Sequence, residues 1–205
     1  MVPRNSLLAL RGFLLERGNE MKLKETTPHI YLICGRARHG KDEIAKAIQE
    51  YYKQKDMDTM NLRYAHYIKE YAKNITDWDG REETKPRALL QMLGTDIIRK
   101  RIDPDLFIHR MIDDVAVYGY FFDVITVSDG RFVDEVVKLK KAYPNTIVIH
   151  VYRPDFESGL KKEELAHATE HGLDDFHDYD YEITNDGSLE DLRKKVFDIL
   201  ERIEK

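Results

Sequence analysis

The sequence predicts an α/β fold, namely a three-layer sandwich in which a mostly parallel sheet of about five strands has helices on both faces. Short apolar runs alternate along the chain with amphipathic segments, as in parallel sheets that are covered by helices. The clearest run, residues 30–34, is apolar throughout, as expected of a strand buried on both faces. A length of 205 residues with 42% hydrophobic and 35% charged residues fits one globular domain with a substantial core.

Each strand is predicted from a run of apolar, β-branched or aromatic residues that ends at turn residues or polar residues. The sequence Phe-Phe-Asp-Val-Ile-Thr-Val-Ser at residues 121–128 is one example, and the Ile- and Val-rich stretch 145–152 is another. The predicted strands are residues 29–34, 60–64, 121–128, 145–152 and 179–184.

The helices are predicted from apolar spacing and from their end signals. Pro86 and Pro104 suit the first turns of two helices, and Ser188 suits the cap of the last one, after the turn at residues 185–187. The predicted helices are residues 41–54, 67–76, 87–101, 104–118, 132–141 and 189–203. The polar, aperiodic stretch 153–170 predicts a mobile loop.

A glycine-rich loop follows the first predicted strand. Gly35 and Gly40 enclose four residues, Lys41 follows, and a helical pattern begins at once. This order of strand, Gly-x-x-x-x-Gly-Lys loop and helix is that of a P-loop, in which backbone amides and the helix N-terminus surround a phosphate group. It predicts a P-loop NTPase fold that binds a nucleoside triphosphate. The predicted phosphate-binding residues are Gly35, Arg36, Ala37, Arg38, His39, Gly40, Lys41, Asp42 and Glu43.

Asp42 stands where a P-loop usually has a serine or threonine that meets Mg²⁺. A carboxylate here favours the helix N-terminus in any case. The alternative is that Asp42 meets the metal directly or through water. A cation between the carboxylate and the phosphates would remove their repulsion, and we favour this second interpretation.

A second constellation lies at the end of the strand predicted at residues 121–128. Asp129 is expected to face the metal and the reacting phosphate, because strand ends in open α/β sheets face the ligand crevice. Arg131 would then reach the transferring phosphoryl group with its planar fork of donors. The alternative is that Asp129 caps the next helix.

Positive side chains in the middle of the chain predict a site for an anionic acceptor. Arg87, Gln91 and Arg99 could share one helix face, with Lys85 just before them and with Lys69 and Lys73 contributing from the preceding helix. A solvated basic face is the alternative explanation for each of these residues taken singly.

Composition limits the partners. The net charge of −5 gives no global field that would attract nucleic acid, and no apolar run approaches the ~20 residues that span a membrane. A single cysteine, Cys34, suits a reducing cytoplasm. Residues 1–20 are expected to be an extension outside the core and residues 21–205 the domain itself. The oligomeric state stays open, with a homodimer among the alternatives.

Taken together, these residues resemble the P-loop nucleoside monophosphate kinases, most closely the deoxynucleoside monophosphate kinase family. The resemblance covers about residue 31 to the C-terminus. It rests on five pieces in the family's order: the loop at residues 35–42, Lys85-Pro86-Arg87-x-x-x-Gln91-x-x-Gly94-Thr95-Asp96-x-x-Arg99, Ser128-Asp129-x-Arg131-Phe132, His167-Ala168-Thr169-Glu170 and Asn185-Asp186-Gly187-Ser188-Leu189.

The resemblance implies transfer of a phosphoryl group from ATP, with Mg²⁺, to a nucleotide. It implies catalytic roles for Lys41, Asp129 and Arg131, with Asp42 and Asp129 near the metal. It also implies donor contacts from Arg153 and Asn185 and a lid formed by about residues 154–170. The acceptor side would be formed by Lys69, Arg87, Gln91 and Arg99.

Three alternatives to a nucleotide kinase stay open at this stage. The stretch 170–180 also resembles animal-type phosphomevalonate kinase, which would place a non-nucleotide phosphate in the acceptor site. A P-loop regulatory module would bind nucleotide without turnover, although a pure sensor has less need of Asp129 and Arg131. A kinase acting on nucleic acid would need a basic track outside the cleft, which the acidic total does not favour.

Overall fold

In a computed structural model of the chain, a parallel five-stranded sheet lies between two layers of helices. The described residues are 23, 24, 27–154, 156, 159 and 168–205. The strands are β1 (His29–Cys34), β2 (Thr59–Leu62), β3 (Val124–Gly130), β4 (Thr146–Tyr152) and β5 (Tyr181–Thr184). The extension predicted at residues 1–20 and most of the predicted lid lie outside the described residues.

The helices follow the strands in alternation. They are α1 (Lys41–Lys53), α2 (Ala65–Ile75), α3 (Arg87–Gln91), a π-helix (Met92–Ile102) that continues α3, α4 (Leu106–Tyr118), α5 (Val133–Ala142), α6 (Ala168–His171) and α7 (Leu189–Ile203). Ser188 caps α7 as predicted, since its side chain accepts a hydrogen bond from the amide of Asp191. Among the described residues, no helix is both long enough and apolar enough to cross a membrane.

The sheet has the order β2-β3-β1-β4-β5, and every pair of neighbours is parallel. This confirms the predicted fold class. Parallel strands place all their carboxyl ends at one edge, and the ligands of such sheets bind in the crevice outside that edge. The loops after β1, β2 and β3 therefore lie side by side at this edge. β1 is the central strand of the whole sheet.

The apolar run of β1 is explained by burial on both faces. Tyr31 and Ile33 pack with α1 and α7, while Ile30, Leu32 and Cys34 pack on the opposite face with α4 and α5. All five side chains are essentially inaccessible to solvent. At roughly 25 cal/mol per Å² of apolar surface removed from water, such a strand is a main source of stability. It also gives the following loop a rigid base.

Two strands differ from their predictions at both ends, and the first of them, β2, was predicted at residues 60–64 but spans Thr59–Leu62. The strand predicted at residues 121–128 begins at Val124 and continues to Gly130. Phe121 and Phe122 are apolar but belong to the turn after α4, where the amides of both donate to the carbonyl of Tyr118 at 2.9 Å. The ring of Phe122 packs on that of Tyr118. Apolar character alone did not separate a packed turn from a strand.

The single helix predicted at residues 87–101 is an α-helix only as far as Gln91. Beyond it, Met92–Ile102 has π-helical hydrogen bonding, and the amide of Asp103 closes it on the carbonyl of Ile98 at 3.0 Å. Gly94 lies close to α2, since a Cβ atom there would stand 2.9 Å from Cδ1 of Ile68. The predicted α-helical spacing is thus wrong in this segment, although the predicted side chains share a cavity, as described below.

Candidate functional site

The loop between β1 and α1 has the backbone conformation that its glycines predict. Gly35 has a φ of 146° and Gly40 a φ of 107°, both unfavourable for residues with a Cβ atom. A Cβ atom at Gly35 would lie 2.5 Å from the carbonyl oxygen of Val151, and one at Gly40 would lie 2.7 Å from Nδ2 of Asn185. Both positions therefore favour glycine for their dihedral angles, and at Gly35 the fixed backbone of β4 also excludes a Cβ atom.

Replacing Gly35 with alanine is expected to destabilise the protein by about 2 kcal/mol or more, because strained dihedrals cost of order 1–3 kcal/mol and the backbone of β4 cannot move aside. Urea denaturation would measure the change. Gly80→Ala is the control: Gly80 also has a positive φ, of 88°, but its Cβ would meet only the flexible Lys73 side chain, at 3.1 Å. Equal destabilisation of the two variants would contradict the proposed clash with Val151.

Lys41 begins α1 and turns back over the loop. Its Nζ donates hydrogen bonds to the carbonyl oxygens of Gly35 and Arg36, each at 2.8 Å, and only 7% of the residue is exposed. Burial, together with the nearby positive charge of Arg131, lowers the pKa of Lys41 to about 7. The ammonium group is thus held at the mouth of the loop, in a place where a bound anion would favour its charged form.

Asp42 contacts the ends of two other strands. Its Oδ1 accepts hydrogen bonds from Nη2 of Arg63 at 2.8 Å and from the hydroxyl of Ser128 at 3.0 Å. Asn61 donates to the same hydroxyl at 3.1 Å. The side chain of Asp42 remains 55% exposed. A carboxylate beside a hydroxyl at a P-loop is a donor set that suits Mg²⁺, which takes one or two protein carboxylates together with substrate phosphates.

No group of three or more His, Cys, Asp or Glu side chains among the described residues could hold a metal ion by itself.

Asp129 lies at the end of β3, as predicted, but its contacts are with backbone. Its Oδ1 accepts from the amide of Tyr64 at 2.8 Å, and its Oδ2 accepts from the amide of Ala65 at 2.9 Å. Asp129 therefore binds the start of α2, rather than that of α5, the next helix in the chain. Each carboxylate oxygen can accept a second bond, so the predicted position near the metal stays a prediction.

A cavity of about 450 Å³ extends from the loop to α3 and the π-helix. All four residues predicted to bind the acceptor line it: Lys69, Arg87, Gln91 and Arg99. Glu43, at the start of α1, also lines it and pairs with Lys46. Burial lowers the pKa of Lys69, as do the nearby charges of Lys85 and Arg63. Such a concentration of positive charge in an acidic protein indicates a binding site for an anion.

Arg99 is held firmly in the cavity wall. It pairs with the carboxylate of Glu135 at 2.5 Å, and its guanidinium lies 4.3 Å from the centre of the Phe132 ring. Glu135 also accepts hydrogen bonds from the amides of Arg131 and Phe132. Burial raises the pKa of Glu135 to about 7. The start of α5 and the π-helix are thus tied together at the cavity.

Arg131 lines the cavity beside the loop, and its predicted contact with the transferring phosphoryl group stays a prediction. Its Nη1 pairs with Oε1 of Glu170 at 2.5 Å and donates to the carbonyl of Thr169 at 3.3 Å. The other oxygen of Glu170, Oε2, accepts from the amide of Ala37 at 2.9 Å. The side chain of Arg131 is 25% exposed. Residues from the loop, β3 and α6 therefore meet at one point.

The remaining predicted donor contacts lie at the other side of the loop. Asn185 follows β5 and donates from Nδ2 to the carbonyl of His39 at 3.0 Å, which ties the two loops together. Arg153 follows β4, with its guanidinium 4.1 Å from the centre of the Phe156 ring. Arg36 pairs with Asp174 at 2.7 Å. The predicted lid between these elements is described only at residues 154, 156, 159 and 168–170.

A family model described as deoxynucleotide monophosphate kinase matches residues 10–196. The chain belongs to this family.

Two relatives within the deoxynucleotide monophosphate kinase family come from phages. The enzyme of Escherichia phage RB69 is 36% identical over 143 residues, and that of Enterobacteria phage T4 is 33% identical over 140 residues. These alignments cover 69% and 68% of this chain, and 53% of each relative. The chain thus spans about half the length of the relatives it matches.

Solved structures agree with the fold. The APS kinase of Mycobacterium tuberculosis, solved in complex with AMPPNP and APS, has a TM-score of 0.54 at 12% identity, covering 85% of this chain and 98% of that one. This similarity shows the arrangement of the sheet and helices. For this member of the deoxynucleotide monophosphate kinase family, it agrees with the predicted P-loop α/β fold.

Several residues of the site were not predicted from the sequence. Arg63 lines the cavity and binds Asp42, and the position of Arg63 just after β2 could have indicated it, because strand ends face the crevice. Lys85 was grouped with the acceptor-side residues and also lines the cavity, whereas Lys73, grouped with them as well, is not among the lining residues and pairs with Glu70 at 2.8 Å. No sequence pattern indicated Glu135, because its pairing with Arg99 depends on how the helices pack.

Proposed function

We propose that the protein transfers the γ-phosphoryl group of ATP to the phosphate of a deoxynucleoside monophosphate, giving ADP and the deoxynucleoside diphosphate. The observation that supports this proposal is one continuous cavity, which runs from the P-loop, past Arg131, to the positively charged residues of α2, α3 and the π-helix. One end suits a polyphosphate and the other a phosphorylated acceptor. Membership of the family supports the nature of both substrates.

The reaction needs little covalent chemistry from the protein. An oxygen of the acceptor phosphate attacks the γ-phosphorus of ATP, and the bond to the β,γ-bridging oxygen breaks, so that ADP leaves with that electron pair. Because the acceptor phosphate is already ionised, no strong general base is required. Lys41 and Arg131 would stabilise charge on the transferring group, while Lys69, Arg87, Gln91 and Arg99 would hold the acceptor.

Asp42 and Asp129 are the residues we propose near Mg²⁺. When bound, Mg²⁺ would neutralise negative charge on the donor phosphates. Because Asp42 stands where a P-loop usually has Ser or Thr, a carboxylate would be available to the cation, and the hydroxyl of Ser128 lies 3.0 Å from that carboxylate.

We also propose that the protein works in the cytoplasm on small nucleotides. Cys34 is buried and burial raises the pKa of its thiol, so that the thiolate, which forms disulfides, is disfavoured. The positive side chains of Arg63, Lys69, Lys85, Arg87 and Arg99 line one cavity, as a small-molecule site requires.

An assay with a panel of acceptors tests the function. The protein is incubated with ATP and Mg²⁺ and with each deoxynucleoside and ribonucleoside monophosphate in turn, as well as phosphomevalonate, and ADP is measured. We expect ADP formation with one or a few deoxynucleoside monophosphates. If only phosphomevalonate gives ADP, the acceptor is a non-nucleotide phosphate and the proposed acceptor class is wrong. If the protein binds ATP but no acceptor gives ADP, the protein is a regulatory module.

ATP binding is expected to take up close to one proton at pH 8. The pKa of Lys41 is about 7 in the free protein, so its amine is mostly neutral at pH 8, whereas a bound polyphosphate favours the ammonium. Affinity should therefore fall as pH rises above about 7. Calorimetry in two buffers with different ionisation enthalpies measures the uptake. In Lys41→Arg, whose side chain stays charged, the uptake should disappear, and uptake that persists there would assign the proton to another group.

A further inference from the structure

The carboxylate of Glu170 lies where the P-loop and Arg131 meet. Its Oε2 accepts the amide hydrogen of Ala37 at 2.9 Å, and its Oε1 pairs with Nη1 of Arg131 at 2.5 Å. Only 8% of the residue is exposed. A buried carboxylate with two charge-assisted hydrogen bonds is well satisfied, so this contact is a strong one.

The two donors that Glu170 engages are those expected to bind a phosphate oxygen. The amide of Ala37 belongs to the loop that surrounds the donor phosphates, and Arg131 is the residue predicted to reach the transferring group. A carboxylate oxygen and a phosphate oxygen are both anionic acceptors that suit the same donors. They cannot occupy the same hydrogen-bonding position at once.

The position of α6 adds a second observation. Arg131, Thr169 and Glu170 line the cavity of about 450 Å³ and also a second cavity of about 440 Å³ on the other side, beside His150 and Tyr179. Glu170 thus stands in the wall between the two cavities. A movement of α6 would therefore separate Glu170 from Arg131 and would at the same time change the shape of the donor site.

We propose that Glu170 is a positioning residue that holds the place of a donor phosphate oxygen and keeps Arg131 paired until the donor displaces it. This inference rests on the proposed function. ATP must break the contact between Glu170 and Ala37 in order to bind the loop fully. Arg131 then exchanges a carboxylate for a phosphate oxygen, so the arginine that stabilises the transferring group becomes available only when the donor is in place.

The dissociation constant of ATP, measured by calorimetry, tests this competition. Glu170→Ala is expected to bind ATP about tenfold more tightly than the wild type, because ATP no longer displaces a charge-assisted hydrogen bond. Glu170→Gln should lie between the two, since its amide oxygen can still accept from Ala37 without the negative charge. In steady-state assays the KM for ATP should fall in parallel while kcat does not rise.

Glu182→Gln is the matched control, because it removes an exposed carboxylate that lines the second cavity on β5. Its ATP affinity should stay within about twofold of the wild type. Equal tightening in Glu182→Gln and Glu170→Ala would show a general effect of charge and overturn the proposal, as would unchanged or weaker binding in Glu170→Ala. If the alanine variant does not fold, Glu170→Gln decides, with unchanged or weaker binding again counting against the proposal.

The same measurements separate this inference from the proposed function. A wild-type protein that binds ATP and forms ADP while Glu170→Ala shows no tightening would refute only the role of Glu170. A wild-type protein that binds no ATP would refute the kinase proposal itself.

Discussion

Replacing Lys41 with alanine is expected to lower kcat for phosphoryl transfer about 10³-fold, the upper end of what one preorganised charge donor contributes. Lys41 is the positive side chain at the mouth of the P-loop, and its ammonium is already directed at the loop by the carbonyls of Gly35 and Arg36. A bound triphosphate would replace these carbonyls as the partner. Without the ammonium, charge that develops on the transferring group would lose its nearest donor.

The stability of the Lys41→Ala variant should change far less than its activity. Burial of the ammonium works against folding, since burial lowers the pKa of Lys41 to about 7. Circular dichroism and thermal melting would check that the variant is folded. Lys53→Ala, at the exposed end of the same helix, is the control and should retain full turnover. Full turnover in Lys41→Ala would remove this lysine from the mechanism.

The fold was predicted well where the local sequence pattern, or the burial of a whole face, determines the secondary structure of a segment. The boundaries of β1 and α7 agree with the predictions to the residue, because β1 is buried on both sides and α7 has a capping serine. The Phe121–Phe122 pair misled the prediction of β3, because both residues lie in the turn after α4, where Phe122 packs on Tyr118 and against the core. The π-helix could not be predicted, because apolar spacing does not report which carbonyl each amide binds.

The candidate site was predictable only in its local part. The P-loop is contiguous, so its glycines and Lys41 could be identified together. Asp129 illustrates the other case: its partners, the amides of Tyr64 and Ala65, lie far away along the chain, and no pattern indicates them. Glu170 is a similar case, since its contact with Ala37 joins residues 133 positions apart. Such roles depend on how the loops meet at the edge of the sheet.

Replacing Arg131 with methionine is expected to lower kcat about 10³-fold with a much smaller change in the dissociation constant of ATP. An arginine that stabilises the transferring phosphoryl group contributes roughly 10³–10⁵ in rate, and most of that contribution exists only in the transition state. Arg131 lies between the P-loop and the acceptor cavity, which is the place that such a role requires. Single-turnover assays together with calorimetry would separate chemistry from binding.

Arg131→Lys is the informative companion, because it keeps the charge but loses the planar fork. If geometry matters as well as charge, this variant should recover only part of the lost rate. Arg193→Met serves as the matched control, since Arg193 pairs with Glu50 on the surface between α7 and α1, away from the cavity. Its kcat should equal that of the wild type. If Arg131→Met instead weakens ATP binding and preserves kcat, Arg131 is a donor-binding residue. Stabilisation of the transition state would then be assigned to Lys41 and not to Arg131.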